Sequence, residues 1–270
     1  MSAHPHHLGK LAVFGASGRM GRAVLRLASH YGLDVVFALA KDDAGLDAGE
    51  LAGHGKTGIV VTEDVGLLVE SGAKVAIDFS HPTALPGIVS ACRAAKVALV
   101  SGTTGIDDEA RALLDEASRE IPVLWEPNMS VGIFVLSAVV KQAVTMLGLD
   151  FDVEVVEAHH HHKADAPSGT ALRLAEVAVA ARKGLGAESR LVHGREGKKA
   201  TRAADEVGMH AMRGGDVIGD HTVHLLGGGE RLELTHKASS RDLFAKGALR
   251  SAAWILHKEP GRYALADVLG

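Results

Sequence analysis

From residue 11 to residue 125, short apolar runs alternate with stretches whose apolar residues recur at helical spacing, and this alternation restricts the fold more than any other feature. The runs 11–14, 35–39, 75–79, 97–100 and 123–125 read as strands, and 19–31, 85–94 and 109–119 read as helices between them. Runs that are apolar on both faces suit buried parallel strands, and parallel neighbours need helical crossovers. The prediction is an α/β protein built on a doubly wound parallel sheet. Its 32 glycines and 4% aromatic content suit many tight strand-to-helix turns.

The first of those turns is Gly15-Ala16-Ser17-Gly18-Arg19-Met20-Gly21, directly after a strand and opening a helix. A Rossmann-type domain places a dinucleotide's phosphates there, because backbone N–H groups and the helix N-terminus face the anion. The spacing is G-x-x-G-x-x-G, with Ser17 where the middle glycine usually stands. An acidic residue about 20 positions on normally bonds the adenosine ribose of NAD. Here the second strand ends Leu39-Ala40-Lys41, which lacks the acid but offers a cation to the 2′-phosphate of NADP. NADPH is therefore favoured over NADH, with Asp42 or Asp43 as carboxylates able to restore NADH binding. Three more loops, Phe79-Ser80-His81-Pro82, Gly102-Thr103-Thr104-Gly105 and Glu126-Pro127-Asn128-Met129, lie at carboxyl ends of predicted strands, where open α/β sheets bind ligands.

Beyond Ser130 the pattern changes to one long apolar helix (130–147), a strand (151–156), and then Glu157-Ala158-His159-His160-His161-His162-Lys163-Ala164-Asp165-Ala166-Pro167-Ser168-Gly169. Ala171, Leu172, Leu174, Ala175 and Ala178 follow at helical spacing, so this cluster sits where a strand feeds a helix. The N–H groups of Ser168, Gly169 and Thr170 would be first-turn donors, suited to a carboxylate or phosphate. On an extended segment only His159 with His161, or His160 with His162, could share a metal ion. No Cys or third ligand stands near, so no metal is expected. Strands 207–212, 217–226 and 231–236, joined by glycine-rich turns, predict an α+β domain with an open mixed or antiparallel sheet, helix-covered on one face. A final helix, 242–256, leads back to the first domain. The expected division is 1–129 with 241–270 for the dinucleotide, and 130–240 for substrate and self-association.

These motifs resemble the 4-hydroxy-tetrahydrodipicolinate reductase (dihydrodipicolinate reductase) family. Its signature E-x-H-H-x-x-K-x-D-x-P-S-G-T-A is met at every fixed position from Glu157 to Ala171, and G-x-x-G-R-M-G at 15–21, G-T-T-G at 102–105 and H-K-A-S-S-R at 236–241 extend the resemblance over nearly the whole chain. The resemblance implies NADPH- or NADH-dependent reduction of a cyclic imine bearing two carboxylates, in diaminopimelate and lysine biosynthesis, by a homotetramer assembled through the second domain. It implies cofactor contacts from Gly15, Ala16, Ser17, Gly18, Arg19, Met20, Lys41, Phe79, Gly102, Thr103, Thr104, Glu126, Pro127, Asn128 and Met129. Met129 departs from a common Phe, and Phe134 from an expected Asn. Two carboxylates need cationic, donor-rich pockets, for which His160, Lys163, Ser168, Gly169, Thr170 and Arg241 are the candidates. Arg241 can grip a carboxylate with two donors or fix the hinge between domains, and both uses stay open. An imidazole can donate a proton near neutral pH, so His159 is the expected general acid, with Lys163 as alternative or partner donor.

The formal net charge of −4, without a basic run, gives no electrostatic footprint for nucleic acid or an anionic membrane. The single Cys92 cannot form an intramolecular disulfide and reads as a small buried hydrophobe. No apolar stretch reads as long enough to cross a bilayer, so the cytoplasm is the expected location. Residues 1–9 read as a frayed tail. Two rival readings fit parts of the sequence. A nicotinamide-dependent reductase of another amino-acid-derived substrate would share the first domain, and a metal-binding or redox-sensing regulator would use the histidine run. Arg195, Arg213 and His221 could touch ligand or only stabilise loops.

Overall fold

A computed structural model describes residues 7–270. Of the expected tail, residues 1–6, including His4 and His6, lie outside the described residues. Leu8 and Gly9 are not frayed: Leu8 donates its N–H to the Gly32 carbonyl at 2.7 Å, and Gly9 opens the first strand. In chain order the elements are β1 (Gly9–Phe14), α1 (Arg19–Leu27), β2 (Leu33–Leu39), α2 (Ala48–Leu51), β3 (Val61–Thr62), α3 (Leu68–Ser71), β4 (Val75–Asp78), α4 (Leu85–Ala95), β5 (Ala98–Ser101), α5 (Asp108–Ala117) and β6 (Pro122–Trp125). There follow α6 (Val131–Leu147), β7 (Asp152–His159), α7 (Gly169–Gly184), β8 (Arg190–His193), β9 (Glu206–Arg213), β10 (Asp220–Leu226), β11 (Arg231–Lys237), α8 (Asp242–Ile255), β12 (Gly261–Tyr263) and α9 (Leu265–Leu269). The chain divides into two compact units, Met1–Val131 with Asp242–Gly270, and Gly132–Arg241.

The first unit holds a seven-stranded sheet in the order β12-β6-β5-β4-β1-β2-β3, parallel at every pairing. Alternate residues of each strand face opposite layers. Ala12, Phe14, Leu99 and Val123 pack with Leu85, Ile88, Val89, Cys92 and Leu114 of α4 and α5. The other layer is formed by α1 and α8, which pack on each other and bury Val24, Ala245, Ala248, Leu249 and Ala252. Each buried Leu, Ile or Phe contributes about 1.5–3 kcal/mol, so the two apolar layers fix which way every strand faces. The helix predicted at 19–31 stops at Leu27; a tighter turn, Ala28–Tyr31, follows and ends at Gly32, whose φ of 68° suits glycine and turns the chain into β2.

The second unit is a five-stranded mixed sheet ordered β11-β10-β7-β9-β8, with β7 antiparallel to β10 and parallel to β9. Val153, Val155, Val207, Met209, Val223 and Leu225 form its covered face, against Ile133, Val140 and Val144 of α6 and the alanine-rich side of α7. The stretch Val131–Asp150 is long and apolar enough to cross a membrane, which corrects the expectation that no such stretch exists. Its Ile133, Leu136, Val140 and Val144 recur at helical spacing and are buried in this core, while Val135, Val139 and Met146 are exposed.

The sheet's other face carries charge. Glu154 is nearly buried there and accepts hydrogen bonds from Arg195 (2.9 Å), Arg202 (3.0 Å) and the His210 ring (2.7 Å). Burial alone would raise its pKa, but these donors outweigh that and hold it below the ordinary glutamate range. Arg195 and Arg202 come from the segment between β8 and β9, which folds back over the sheet, so Arg195 stabilises this strap. Gly208 leaves the space that the Glu154 carboxylate fills; a Cβ there would overlap it. Gly208→Ala should displace Glu154 from its cations and destabilise the protein by about 3 kcal/mol, read as a lower urea midpoint. An unchanged midpoint would show that Glu154 relocates freely.

Candidate active site

In the first unit the loops singled out from sequence share the carboxyl edge of the parallel sheet. β1 pairs with β2 on one side and β4 on the other, so the loops after β1 and β4 flank the topological switch point, where such sheets bind ligands. Phe14, Asp78, Ser101 and Trp125 stand level across four neighbouring strands, and the loops leave the sheet together. Gly15 has φ 73°, and a Cβ on it would stand 2.6 Å from the Phe79 carbonyl oxygen. A Cβ on Gly21 would overlap the Gly15 carbonyl, and one on Gly102 would overlap the Phe79 ring. These glycines let three loops close tightly. The α1 N-cap is Gly18, with no side-chain cap, so nothing from the cap residue covers the first-turn donors. The residues fit a dinucleotide phosphate.

Beneath the loops lies a brace the sequence did not reveal. Buried Asp78 accepts from Ser101 Oγ and Thr103 Oγ1, both at 2.8 Å, and from the Ser80 amide at 2.9 Å, while Trp125 Nε1 donates to the Thr103 carbonyl at 2.9 Å. Thr103 and Gly102 are buried and Thr104 is exposed, so the loop presents its backbone around Thr104. Glu126 extends the ladder, donating its N–H to the Ser101 carbonyl at 3.1 Å; Pro127 is exposed and Asn128 Oδ1 accepts from the Ser130 amide at 2.9 Å. Met129 is 1% exposed, so its side chain is core rather than a contact surface, and Gly247 of α8 leaves room for its carbonyl. Ala16 is likewise fully buried, with its amide bonded to the Leu39 carbonyl at 3.0 Å.

Lys41 is exposed just past β2. Ser17 Oγ donates to the Asp42 carbonyl at 2.6 Å, and Arg22 pairs with Asp43 at 3.0 Å. Asp43 is thus committed to Arg22, which leaves Asp42 as the nearby carboxylate for a ribose.

In the second unit the signature is organised by Glu157. β7 runs on through His159, farther than its apolar run, because Glu157 and His159 continue the covered face of Val153 and Val155. The Glu157 side chain is fully buried. Its Oε2 lies 2.6 Å from His159 Nδ1, and its Oε1 accepts the Ser168 N–H at 3.0 Å. Arg213 donates to both oxygens at 2.8 Å. Burial pushes the Glu157 pKa up, yet the bonds from Arg213, His159 and Ser168 outweigh it and hold the group below the ordinary glutamate range. Ser168 caps α7, its Oγ accepting from the Ala171 amide at 3.2 Å and meeting His221 Nε2 at 3.1 Å. This corrects the expectation that the Ser168 amide is open to a ligand: Glu157 occupies it, and Ser168 is 3% exposed. Gly169 is exposed at the head of α7, followed by half-buried Thr170.

After His159 the chain turns instead of remaining extended, so the alternation assumed for the four histidines does not hold. Lys163 bonds back to the His160 carbonyl at 3.1 Å, and the His161 and His162 rings meet at a tilt of 52° with centroids 3.8 Å apart. His160 Nδ1 is buried without a hydrogen-bond partner. Burial lowers the His160 pKa, and the nearby charges of Arg241, His162, His159 and Lys163 lower it further. Lys163 meets one anion, Asp165, at 2.7 Å. The arrangement has more positive than negative groups and an orphaned buried nitrogen, so it suits an anionic, hydrogen-bonding ligand. Arg213 and His221, left undecided from sequence, are both built into this site.

Residues 9–129 match the profile described as dihydrodipicolinate reductase, N-terminus, and residues 132–269 match its C-terminus. The chain belongs to the dihydrodipicolinate reductase family. The reductase is 48% identical over 265 residues, 97% of each chain, to the 4-hydroxy-tetrahydrodipicolinate reductase of Anaeromyxobacter dehalogenans (strain 2CP-C). It is 43% identical over 273 residues to that of Acinetobacter baumannii (strain AYE), covering 100% of this chain and 98% of the relative. Among solved structures, a dipicolinate-bound dihydrodipicolinate reductase from Paenisporosarcina sp. TG-14 shares the reductase's fold, with TM-score 0.73 and 22% identity over 95% of this chain and 97% of that one.

Buried His221, beside the His159 ring at 5.2 Å, has its pKa pushed down to about 4, first by burial and then by the His159 charge. The folded state holds it neutral while the unfolded chain protonates near 6.5, so its contribution is complete above pH 6.5 and lost as pH falls towards about 4. The loss amounts to about 3 kcal/mol. His221→Asn should flatten the urea stability profile between pH 6.5 and 4; an unchanged slope would place the acid sensitivity elsewhere.

Proposed function

We propose that the chain reduces the cyclic imine derived from 4-hydroxy-tetrahydrodipicolinate to tetrahydrodipicolinate, in diaminopimelate and lysine biosynthesis, with NADPH preferred over NADH. The carrying observation is the surplus of positive groups around an unpartnered buried nitrogen at His160, beside the first turn of α7. A dicarboxylate supplies the missing charge. That a solved relative of the same fold holds dipicolinate, a planar dicarboxylate, supports this reading.

The first unit holds the dinucleotide, with Gly15 to Met20 at its phosphates and the backbone of Gly102, Thr103, Thr104, Glu126, Pro127 and Asn128 facing the nicotinamide. Phe79 packs beneath these loops, Met129 supports the last of them from the core, and Lys41 meets the 2′-phosphate. When bound, the reduced nicotinamide supplies the hydride. The second unit does the rest. Lys163, His160, Gly169 and Thr170 bind and orient the carboxylates, with Ser168 fixing the turn, and Arg241 adds a two-pronged donor. His159 delivers the proton, with Lys163 as its partner donor. Neutralising both carboxylates makes the ring a better hydride acceptor. The enzyme works in the cytoplasm as a homotetramer joined through the five-stranded sheet.

The test is oxidation of NADPH, and separately NADH, with substrate generated in place from pyruvate and aspartate semialdehyde by the preceding synthase. Turnover is expected with both, faster with NADPH at low concentration. Nucleotide binding without turnover would point to another substrate. Lys41→Ala should raise the NADPH KM roughly tenfold with little change for NADH, the loss of about one charge-assisted contact. His159→Gln should lower kcat while leaving KM within a few-fold; a loss confined to KM would remove its role as acid.

A further inference from the structure

The groups assigned to the substrate sit on separate stretches of chain, and something must keep them in register. We propose that Glu157 is the positioning residue of this site: its one buried carboxylate orients His159 and fixes the first turn of α7, so that proton donor and carboxylate cradle are held as a single piece. This rests on reading His159 as the general acid.

The geometry divides the work between the two oxygens. Oε2 takes His159 Nδ1, and Oε1 takes the Ser168 amide, the N-cap position directly before Gly169 and Thr170. Arg213, opposite His159 in the β7–β9 register, grips both oxygens and also donates to the Asp165 carbonyl at 2.6 Å. One anion therefore ties the end of β7, the end of β9 and the two ends of the 160–168 turn. An ionised carboxylate only accepts hydrogen bonds, so Nδ1 carries a hydrogen and Nε2 is the nitrogen left to act outward. Nε2 faces Gly219, where a Cβ would stand 3.0 Å away, so glycine keeps that side clear.

Other titratable groups face this core from each neighbouring strand or turn. His221 on β10 is engaged with Ser168 Oγ, His236 stands opposite it on β11, and Lys163 and Asp165 pair with each other on the turn. Among these, Glu157 alone bonds both His159 and the α7 cap.

The test uses the full-length enzyme and four variants: Glu157→Gln, Glu157→Gln with Arg213→Gln, His159→Gln, and His159→Gln with Glu157→Gln. The second removes the buried carboxylate and its half-buried guanidinium partner together, so an unpaired arginine cannot explain its behaviour. A cooperative urea transition followed by far-UV circular dichroism reports whether the second unit of each variant is folded, since all the substitutions lie there, and affinity for the reduced nucleotide, followed by its fluorescence, reports the first unit. Glu157→Gln should lower kcat at least ~10-fold, the direction seen when a histidine loses its carboxylate partner. It should also raise KM, because the Ser168 amide and the first turn of α7 lose their anchor. In the His159→Gln background the same change should alter kcat less than ~3-fold while still raising KM, the non-additivity expected of residues acting as a unit. A full multiplicative loss there, or unchanged kcat in both single-background Glu157 variants, overturns the proposal while leaving His159 as acid. Full turnover in His159→Gln overturns the acid reading and this proposal with it.

Discussion

A single carboxylate with no exposed side-chain surface organises the second unit's site. Glu157 meets Arg213 through both oxygens and still accepts from His159 and Ser168. An isolated buried carboxylate would take up a proton; with a fork of two guanidinium donors and two further N–H groups the charged form is retained. Each of those donors belongs to a different part of the chain, so the position of every part is conditional on the others. The cap on α7 and the path of the 160–168 turn both follow from it.

The first unit repeats the device with different chemistry. Asp78, buried at the end of β4, gathers two hydroxyls and an amide from the neighbouring loops, and Trp125 closes the set from β6. In both units a buried acid gathers donors from the loops and turns around it and holds them rigid. Preorganisation of this kind leaves ligand-facing donors with little rearrangement to undergo on binding.

Legibility followed burial. Strands that are apolar on both faces, such as β1, β4 and β5, stood out because tertiary packing and local pattern agree there. β3, β8 and β12 did not, since each has only two to four residues at or near a sheet edge and no period can be read from so few. β7 was read three residues short because its covered face changes from Val153 and Val155 to Glu157 and His159: the geometry continues while hydrophobicity stops. The signature marked the site correctly as a strand-to-helix junction, yet its histidines lie on a turn closed by Gly215 and Val217, residues far along the chain. Nor could the Ser168 amide be assigned without knowing that Glu157, eleven residues earlier, points back at it. Asp78 gave no signal at all, as a lone acid at a strand end has many possible uses.

The discontinuity of the first unit has a bearing on synthesis. Its second helical layer includes α8, which buries Ala245, Ala248, Leu249 and Ala252, and its sheet is completed by β12 alongside β6. Residues 7–131 alone therefore present a half-covered sheet, whereas Gly132–Arg241 is a contiguous stretch with its own core. On a ribosome the second unit can finish first, and the nucleotide half must wait, with apolar strands exposed, until the segment beyond residue 241 has emerged. Until that segment emerges, the growing chain carries exposed apolar strands that invite chaperone binding.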